Sequence, residues 1–455
     1  MILWNYIKKE MLKNPHQIVC ENRAEMSYEN LVDFAEMFSE KLKDYKACAI
    51  MCRSEMAAAM ALLACFAADV TAIPLSPRYG HRHCEKILET IDPPVVISDA
   101  DGGLRITKTY SRYSSPKEKP ALIMCTSGTT GRPKGAMLGE EAIMTNVKDI
   151  SAYFNIGSKD SILIARPLYH CAVLTGEFLL SLVKGVKIRF YSEEFNPKVI
   201  MNTIIENKIT VYCGTPTQFC LLAGFNHKYS GCILKAICVS GECLGTETAM
   251  KISGSFPHMD IYHVYGLTEA SPRVSYLPPE KFSQYADCVG IPLNSINIKI
   301  VKSDGTSARR GEEGILWISG DNVMFGYYNA PKETEKVLND GWLCTGDIAI
   351  MTEEGFLKIK GRSDDLIIRA GMNIYPAEIE SELKKDIRVR EVLVHRVDTT
   401  YMGVQIGLKI AGDFRSIEEV RELCAKALPK FQIPTVIEIV DELPKSISGK
   451  IIRKG

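Results

Sequence analysis

Residues 121–135 constrain this chain more than any other stretch. A short apolar run, Ala121 to Met124, reads as a buried strand that feeds into Cys125-Thr126-Ser127-Gly128-Thr129-Thr130-Gly131-Arg132-Pro133-Lys134-Gly135. Glycines let backbone N–H groups approach an anion closely, and the hydroxyls add donors. Arg132 and Lys134 add positive charge. A loop of this make-up suits a polyphosphate. It is not a Walker A loop, because no Gly-Lys-Ser/Thr follows at the required spacing.

Length and composition bound what can surround that loop. The 455 residues suggest two or three domains, and 46% hydrophobic with 24% charged residues is ordinary for a globular protein. Lys+Arg and Asp+Glu are both 55, so the formal charge of +0 argues against a nucleic-acid binder working through bulk positive charge. The 15 cysteines are scattered, many in apolar runs, and none forms a Cys-x-x-Cys pair, so neither a zinc site nor a thioredoxin-like motif is indicated. Buried free thiols in a reducing cytoplasm fit best. The N-terminal apolar run is too short for an export signal, and no stretch approaches a membrane span.

The first part of the chain alternates helix and strand. Ser27 opens a helix whose apolar residues Leu31, Phe34, Phe38 and Leu42 recur at helical spacing. Ala47–Met51, Val70–Leu75 and Val95–Ser98 read as strands, and the Ala-rich Met56–Ala68 as a helix packed on most sides. Further strands are expected at 162–165, 186–190, 210–213, 234–240 and 261–265. Such alternation implies parallel sheet with crossover helices, hence an α/β fold. From Val289 to Ile350 alternating segments with Gly turns suggest a small antiparallel sheet or barrel. Gly361 to Leu366 is the expected domain joint, giving domains 1–362 and 363–455, the second a small mobile α+β domain. In it a helix begins at Pro376, and Ser416 with Glu419 forms a capping box. His81, His83 and Cys84 read as a solvated helix start rather than a metal cluster.

Thr126-Ser-Gly-Thr-Thr-Gly-Arg-Pro-Lys-Gly135 resembles the phosphate loop of the adenylate-forming superfamily, which comprises acyl-CoA synthetases, peptide-synthetase adenylation domains and luciferases. The match runs from the first helix to the last few residues. The resemblance implies ATP-dependent activation of a carboxylic acid through an acyl-adenylate, with Mg2+, followed by transfer to the thiol of CoA. Such a reaction brings two anions together, so its site needs cations and donors more than a strong base.

The resemblance assigns roles residue by residue. Thr126, Ser127, Gly128, Thr129, Thr130, Gly131 and Lys134 would hold phosphates. In Tyr265-Gly266-Leu267-Thr268-Glu269 the tyrosine ring would lie against adenine, Thr268 would donate to a phosphate, and Glu269 would hold Mg2+, a hard cation that prefers such oxygens. The residue two before Tyr265 is usually Asn and is His263 here. Ser240-Gly241-Glu242 takes the place of a second adenine-contacting loop, with a single glycine instead of the typical pair. Asp347 would accept both ribose hydroxyls, Arg362 would contact ribose or phosphate, Asp364 matches the hinge, and Gly371 would line the pantetheine tunnel. Lys450, in Ser448-Gly-Lys-Ile451, matches the mobile catalytic lysine that bridges substrate carboxylate and α-phosphate.

Arg166-Pro-Leu-Tyr-His170 matches a motif of acyl- and aryl-CoA synthetases and carries no aspartate for an α-ammonium, which disfavours an amino-acid substrate. His170 is expected to gate an acid pocket drawing on Cys213, Gly214, Val264 and Leu267. Arg273 follows Glu269 closely enough to face that pocket and pair with a second carboxylate or polar group; a surface salt bridge is the alternative. Two other functions remain open: a stand-alone ligase that loads an acyl carrier protein's phosphopantetheine in trans, and a non-catalytic scaffold or sensor. A Rossmann oxidoreductase is not supported, because no Gly-x-Gly-x-x-Gly follows an early strand.

Overall fold

Short apolar runs broken by polar turns become the strands of two sheets. The structure, a computed structural model, describes residues 1–100, 103–127, 133–226, 232–242, 244–369, 372–399, 403–445 and 451–452. The chain divides into two units: Met1–Glu242, Thr248–Ile298 and Trp317–Cys344 form the first, and Cys243–Glu247, Lys299–Leu316 and Thr345–Gly455 the second.

The first unit holds both large sheets. One has nine strands in the order Ile291–Pro292, Arg273–Leu277, Asp260–Gly266, Ala236–Val239, Val211–Gly214, Ser161–Ile164, Lys187–Phe190, Ile18–Glu21, Ala24–Ser27. Its interior pairings, from Asp260–Gly266 across to Ile18–Glu21, are parallel, and its edges are antiparallel. The other has seven strands in the order Gly326–Tyr327, Pro133–Leu138, Leu122–Ser127, Thr71–Leu75, Ala47–Met51, Val95–Ala100, Gly103–Lys108. The expected α/β class is the observed one.

Local signals place the helices. Ser27 caps the helix Tyr28–Ser39, its side chain accepting from Asn30 N at 3.1 Å. The Ala-rich helix Glu55–Ala67 is buried along almost its whole length, as a helix without a polar face must be. His81–Ile91 is a helix, and among the described residues no three or more His, Cys, Asp and Glu side chains gather as a metal-holding group.

Several strands depart from the sequence reading. Pro133-Lys134-Gly135, expected in the loop, begin a strand that pairs antiparallel with Leu122–Ser127, Thr126 opposite Lys134 and Cys125 opposite Gly135. Proline fits because it is the first residue of the strand. Gly135 is required there, since a Cβ would lie 2.6 Å from Ile123 Cγ2 and 2.8 Å from Ile91 Cδ1. The edge hairpin Ile18–Glu21/Ala24–Ser27, turning on Asn22 at φ 53°, also lies outside the sequence expectation. Asn tolerates that left-handed backbone, which suits a two-residue hairpin.

The expected small sheet exists as five strands, in the order Ile296–Val301, Glu313–Gly320, Trp342–Met351, Leu338–Asn339, with Leu357–Arg362 also on Trp342–Met351. In the second unit, Val389–Thr399 pairs antiparallel with Gly403–Gly412, which pairs parallel with Val436–Ile439. The helix Pro376–Leu383 begins at its proline, and it and Ile417–Ala427 bury Ile379, Leu383, Val420 and Cys424 against Val392, Ile406 and Leu408. Half of the expected capping box forms: Ser416 Oγ accepts from Glu419 N at 3.4 Å, while Glu419 Oε2 accepts from Arg415 N instead of Ser416 N.

Replacing Ser27 by Ala leaves Asn30 N without its acceptor. The expected cost is ~1 kcal/mol, read as a lower urea midpoint of unfolding; an unchanged midpoint would show that water replaces the cap at no cost.

Candidate active site

Open α/β sheets bind ligands in the crevice beyond the carboxyl ends of their strands. Most of the expected site residues of the first unit lie at such ends. Leu122–Ser127 runs out at the phosphate loop, Val211–Gly214 at Gly214, Ala236–Val239 just before Ser240-Gly241, and Asp260–Gly266 at the Thr268-Glu269 turn. Gly128, Thr129, Thr130, Gly131, Gly371 and Lys450 lie outside the described residues.

The Thr268-Glu269 turn is closed by Leu267 N donating to Pro272 O at 2.9 Å. Gly266 permits this closure, because a Cβ there would lie 2.1 Å from Pro272 O. Two buried amides then clamp the end of the turn. Asn146 accepts from Arg273 N at 3.1 Å and donates to Arg273 O at 2.8 Å. Asn322 donates to Ala270 O at 2.7 Å and to Arg273 O at 3.4 Å. Both asparagines are fully buried, where an unpaired amide would be costly.

Tyr327 joins this turn to the phosphate-loop hairpin. Its strand, Gly326–Tyr327, pairs with Ala136 and Met137. Its hydroxyl donates to Glu269 Oε1 at 2.7 Å, and Lys134 Nζ stands 5.2 Å from its ring centroid. Thr126, Lys134, Thr268 and Glu269 therefore belong to one locality of the first unit. Glu269 and Thr268 are half-buried. A carboxylate and a hydroxyl beside a phosphate-type loop are hard oxygen donors, so the residues present fit Mg2+, which keeps waters and phosphate oxygens for the rest of its shell.

The Arg166–His170 loop reaches the same place. Cys171 Sγ lies 4.0 Å from Thr268 O. Tyr169 donates to Cys125 O at 3.2 Å and meets His83 Nε2 at 3.2 Å, and its ring lies edge-on to His170 at 5.4 Å. Leu168 N donates to Glu55 Oε2 at 2.9 Å. Burial pushes the Glu55 carboxyl up to about 7, against the lowering effects of Leu168 N and Arg78.

The remaining residues have defined surroundings. Cys213 and Cys238 face each other on neighbouring parallel strands. Their mutual hydrogen bond, aided by Arg273, holds the Cys238 thiol below its ordinary value. Ser240 N donates to Gly214 O at 3.0 Å, and Gly241 has φ +91°. Glu242 accepts from Thr217 N at 3.3 Å and Thr217 Oγ1 at 2.8 Å, at the start of the helix Pro216–Asn226. Val264 is buried, and Tyr265 and Leu267 are half-buried. Arg273 is 5% exposed, so its expected alternative as a surface salt bridge does not hold.

In the second unit, Asp347 is 8% exposed and pairs with Arg362 Nη1 at 3.3 Å, which also donates to Thr345 O at 2.9 Å. The two face each other across paired strands, Asp347 opposite Arg362. Gly346, at φ +71°, leaves room for the guanidinium, since a Cβ would lie 3.0 Å from Arg362 Nη2. Asp364 sits in a short turn, Ser363–Asp365.

Sequence reasoning missed Tyr327, Asn146 and Asn322. Asn146 carried a signal, an amide among the inward residues Ala142, Ile143, Val147 and Ile150 of its helix. Nothing in the sequence pointed from Tyr327 to Glu269.

Strand-end glycines, a hairpin built for an anion and a Thr-Glu turn beside it define a nucleotide-binding α/β protein. The chain belongs to the AMP-binding enzyme family, which matches residues 8–328. It is 34% identical over 356 residues to a long-chain-fatty-acid–CoA ligase of Haemophilus influenzae, covering 76% of this chain and 63% of that protein. Identity to the human mitochondrial medium-chain acyl-CoA ligase ACSF2 is 34% over 355 residues, covering 75% of this chain and 58% of the relative. The chain thus matches about six-tenths of the length of these curated relatives. The structure of O-succinylbenzoate coenzyme A synthetase from Bacillus subtilis in complex with ATP and magnesium superposes with a TM-score of 0.85, at 25% identity over 99% of this chain and 98% of that one. ATP-bound MatB from Rhodopseudomonas palustris shares the fold, with a TM-score of 0.85 at 24% identity over 98% and 97%.

Two outcomes are expected. Tyr327→Phe removes the hydrogen bond to Glu269, which for a charged acceptor contributes about 1.5–3 kcal/mol. Nucleotide affinity measured by calorimetry should fall about tenfold or more with cooperative unfolding retained; unchanged affinity would show that Glu269 needs no such anchor. His263, buried and bonded to Cys288 O, has its pKa pushed down to about 4 by burial. A histidine lowered on folding stabilises fully above its unfolded value of about 6.5, and the effect is lost as pH falls through the folded value. About 3 kcal/mol should therefore disappear between pH ~6.5 and ~4. His263→Asn should lose correspondingly less over that range in urea titrations.

Proposed function

We propose that the protein is an AMP-forming ligase that activates a carboxylic acid with ATP and transfers the acyl group to the thiol of CoA. The observation that carries this reading is Tyr327, which ties Lys134 of the phosphate-loop hairpin to Glu269. The activities of the two relatives, both CoA ligases, support it, as does a structural neighbour that holds ATP and magnesium.

In this reading a carboxylate oxygen attacks the α-phosphorus and pyrophosphate leaves. Thr126, Ser127, Gly128, Thr129, Thr130, Gly131 and Lys134 hold the leaving phosphates through donors and charge. Glu269 would hold a magnesium ion, which would supply charge neutralisation at the phosphates. Thr268 donates to phosphate, and Tyr265, Gly266, Ser240, Gly241 and Glu242 bound the adenine. Asp347 accepts the ribose hydroxyls, with Arg362 beside it. His170 gates the acid, which lies along Cys213, Gly214, Val264 and Leu267. Lys450 bridges the two anions as they meet, an electrostatic role that needs no proton transfer. Residues 363–455 form the mobile domain, turning about Asp364, and Gly371 lines the path of the pantetheine thiol in the second half-reaction. The compartment we propose is a reducing cytoplasm, supported by the free, mostly buried cysteines among the described residues. No helix among those residues is long and apolar enough to cross a membrane.

The test is a panel of carboxylic acids assayed for pyrophosphate exchange, then for thioester with CoA. No exchange with any acid would return the chain to a non-catalytic binding role. Exchange without CoA thioester would move the acceptor to the phosphopantetheine of a carrier protein. Lys450→Ala is expected to lower adenylation by on the order of 10²-fold or more, as for loss of one preorganised donor. Transfer from preformed acyl-adenylate should fall much less; an unchanged exchange rate would refute the assignment.

A further inference from the structure

We infer that the acid site ends at a fixed cation, Arg273, and that its substrate is a short dicarboxylic acid whose far carboxylate pairs with that guanidinium. This rests on the ligase reading above and names the substrate class of the same site.

The location follows from contacts within the first unit. The helix that starts after His170 places Cys171 Sγ beside Thr268 O. Further along that helix, Gly176 faces Arg273: a Cβ on it would lie 2.9 Å from Arg273 Nη2. On the other side, Arg273 Nη1 lies 3.7 Å from Cys238 Sγ, on a strand that ends just before Ser240. The guanidinium therefore lies between the His170 helix and the strands that end at the site. Here the helix widens into a π-turn, Leu174–Leu179, a distortion found most often at functional sites.

Among the described residues no carboxylate bonds to the Arg273 side chain. Arg273 donates to Tyr153 OH at 2.7 Å and to Cys238 Sγ, and neither is a carboxylate. The nearby acid, Glu177, is 2% exposed and gives Oε1 to Arg166 Nη2 at 2.5 Å. Arg166, Glu177 and Arg273 together carry a formal +1 away from water. Glu177 Oε2, Arg166 Nε and Tyr212 OH are buried with no hydrogen-bond partner among the described residues. A buried, under-paired cation is costly, and a carboxylate arriving at it is correspondingly favoured. A long alkyl chain would have to lie against this cluster and strip it of any remaining solvation. In the reaction the near carboxylate forms the bond to phosphorus as pyrophosphate leaves, and the far one stays ionised and unreacted.

The experiment compares acids of matched length, butanoate with succinate and hexanoate with adipate, by ATP–pyrophosphate exchange in wild type, Arg273→Leu and Arg273→Lys. Wild type should favour one dicarboxylate over its monocarboxylate by at least about tenfold in kcat/KM, since a site built for a polar group rejects the analogue that lacks it. Arg273→Leu should lose or invert that ratio, and Arg273→Lys should keep its direction. A wild-type preference for the monocarboxylates, or a ratio unmoved in Arg273→Leu, overturns the inference. Should Arg273→Leu not fold, the wild-type ratio and the Lys variant still decide. Exchange confined to alkyl acids, or to acids of the wider panel other than these dicarboxylates, leaves the ligase reading and removes this one, whereas no exchange with any acid of that panel sinks the ligase reading itself.

Discussion

The first unit's site hangs on the closure of a single turn. Leu267 N bonds to Pro272 O only because Gly266 has no side chain to block the carbonyl. That closure sends Thr268 and Glu269 outward and Arg273 inward from residues only a few apart. Asn146 and Asn322 hold the result by bonding its backbone from two other segments. Asn146 suits this work because its amide both donates and accepts, replacing the missing partner of a strand edge without introducing charge, while Asn322 serves as a donor alone.

A second constraint is electrostatic. The unit buries charges and corrects for them locally. Arg166 and Glu177 neutralise each other, and Arg78 offsets part of Glu55. Glu55 spends its other contact on Leu168 N, which fixes the backbone just before Tyr169 and His170. Tyr169 in turn bonds to Cys125 O, on the strand that enters the phosphate loop. Tyr169, the neighbour of His170, and the strand Leu122–Ser127 are thereby set relative to each other through neutral and charged hydrogen bonds, which are directional where apolar packing is not. Arg273 is the exception, a buried cation whose side chain bonds to Tyr153 and Cys238 and to no carboxylate among the described residues.

Much of the fold was legible in advance because its signals are local. Ala47–Met51 is a strand with the bounds its apolar run suggests. The helix starts at Ser27, Pro376 and Ser416 follow from capping and proline geometry, which act within a few residues. What escaped was pairing. Pro133–Leu138 looks like the tail of a loop until Leu122–Ser127 offers it a ladder. Its glycine and proline weaken any strand signal, and only the partner strand restores it.

The sequence by itself determined the class of chemistry. Hydroxyls, glycines and a lysine in one order suit an anionic ligand because residue type supplies donors and charge, and with Tyr-Gly-Leu-Thr-Glu downstream they carry the resemblance to the adenylate-forming family. It also determined the alternation of strand and helix, through side-chain periodicity. Only the tertiary structure decided which groups meet. Tyr327 reaches Glu269 and Lys134 across long stretches of chain, and Arg273 is a buried cation instead of a surface ion pair. Burial and long-range contact depend on how sheets and helices stack, and no local pattern encodes the neighbour a side chain acquires when distant segments close over it.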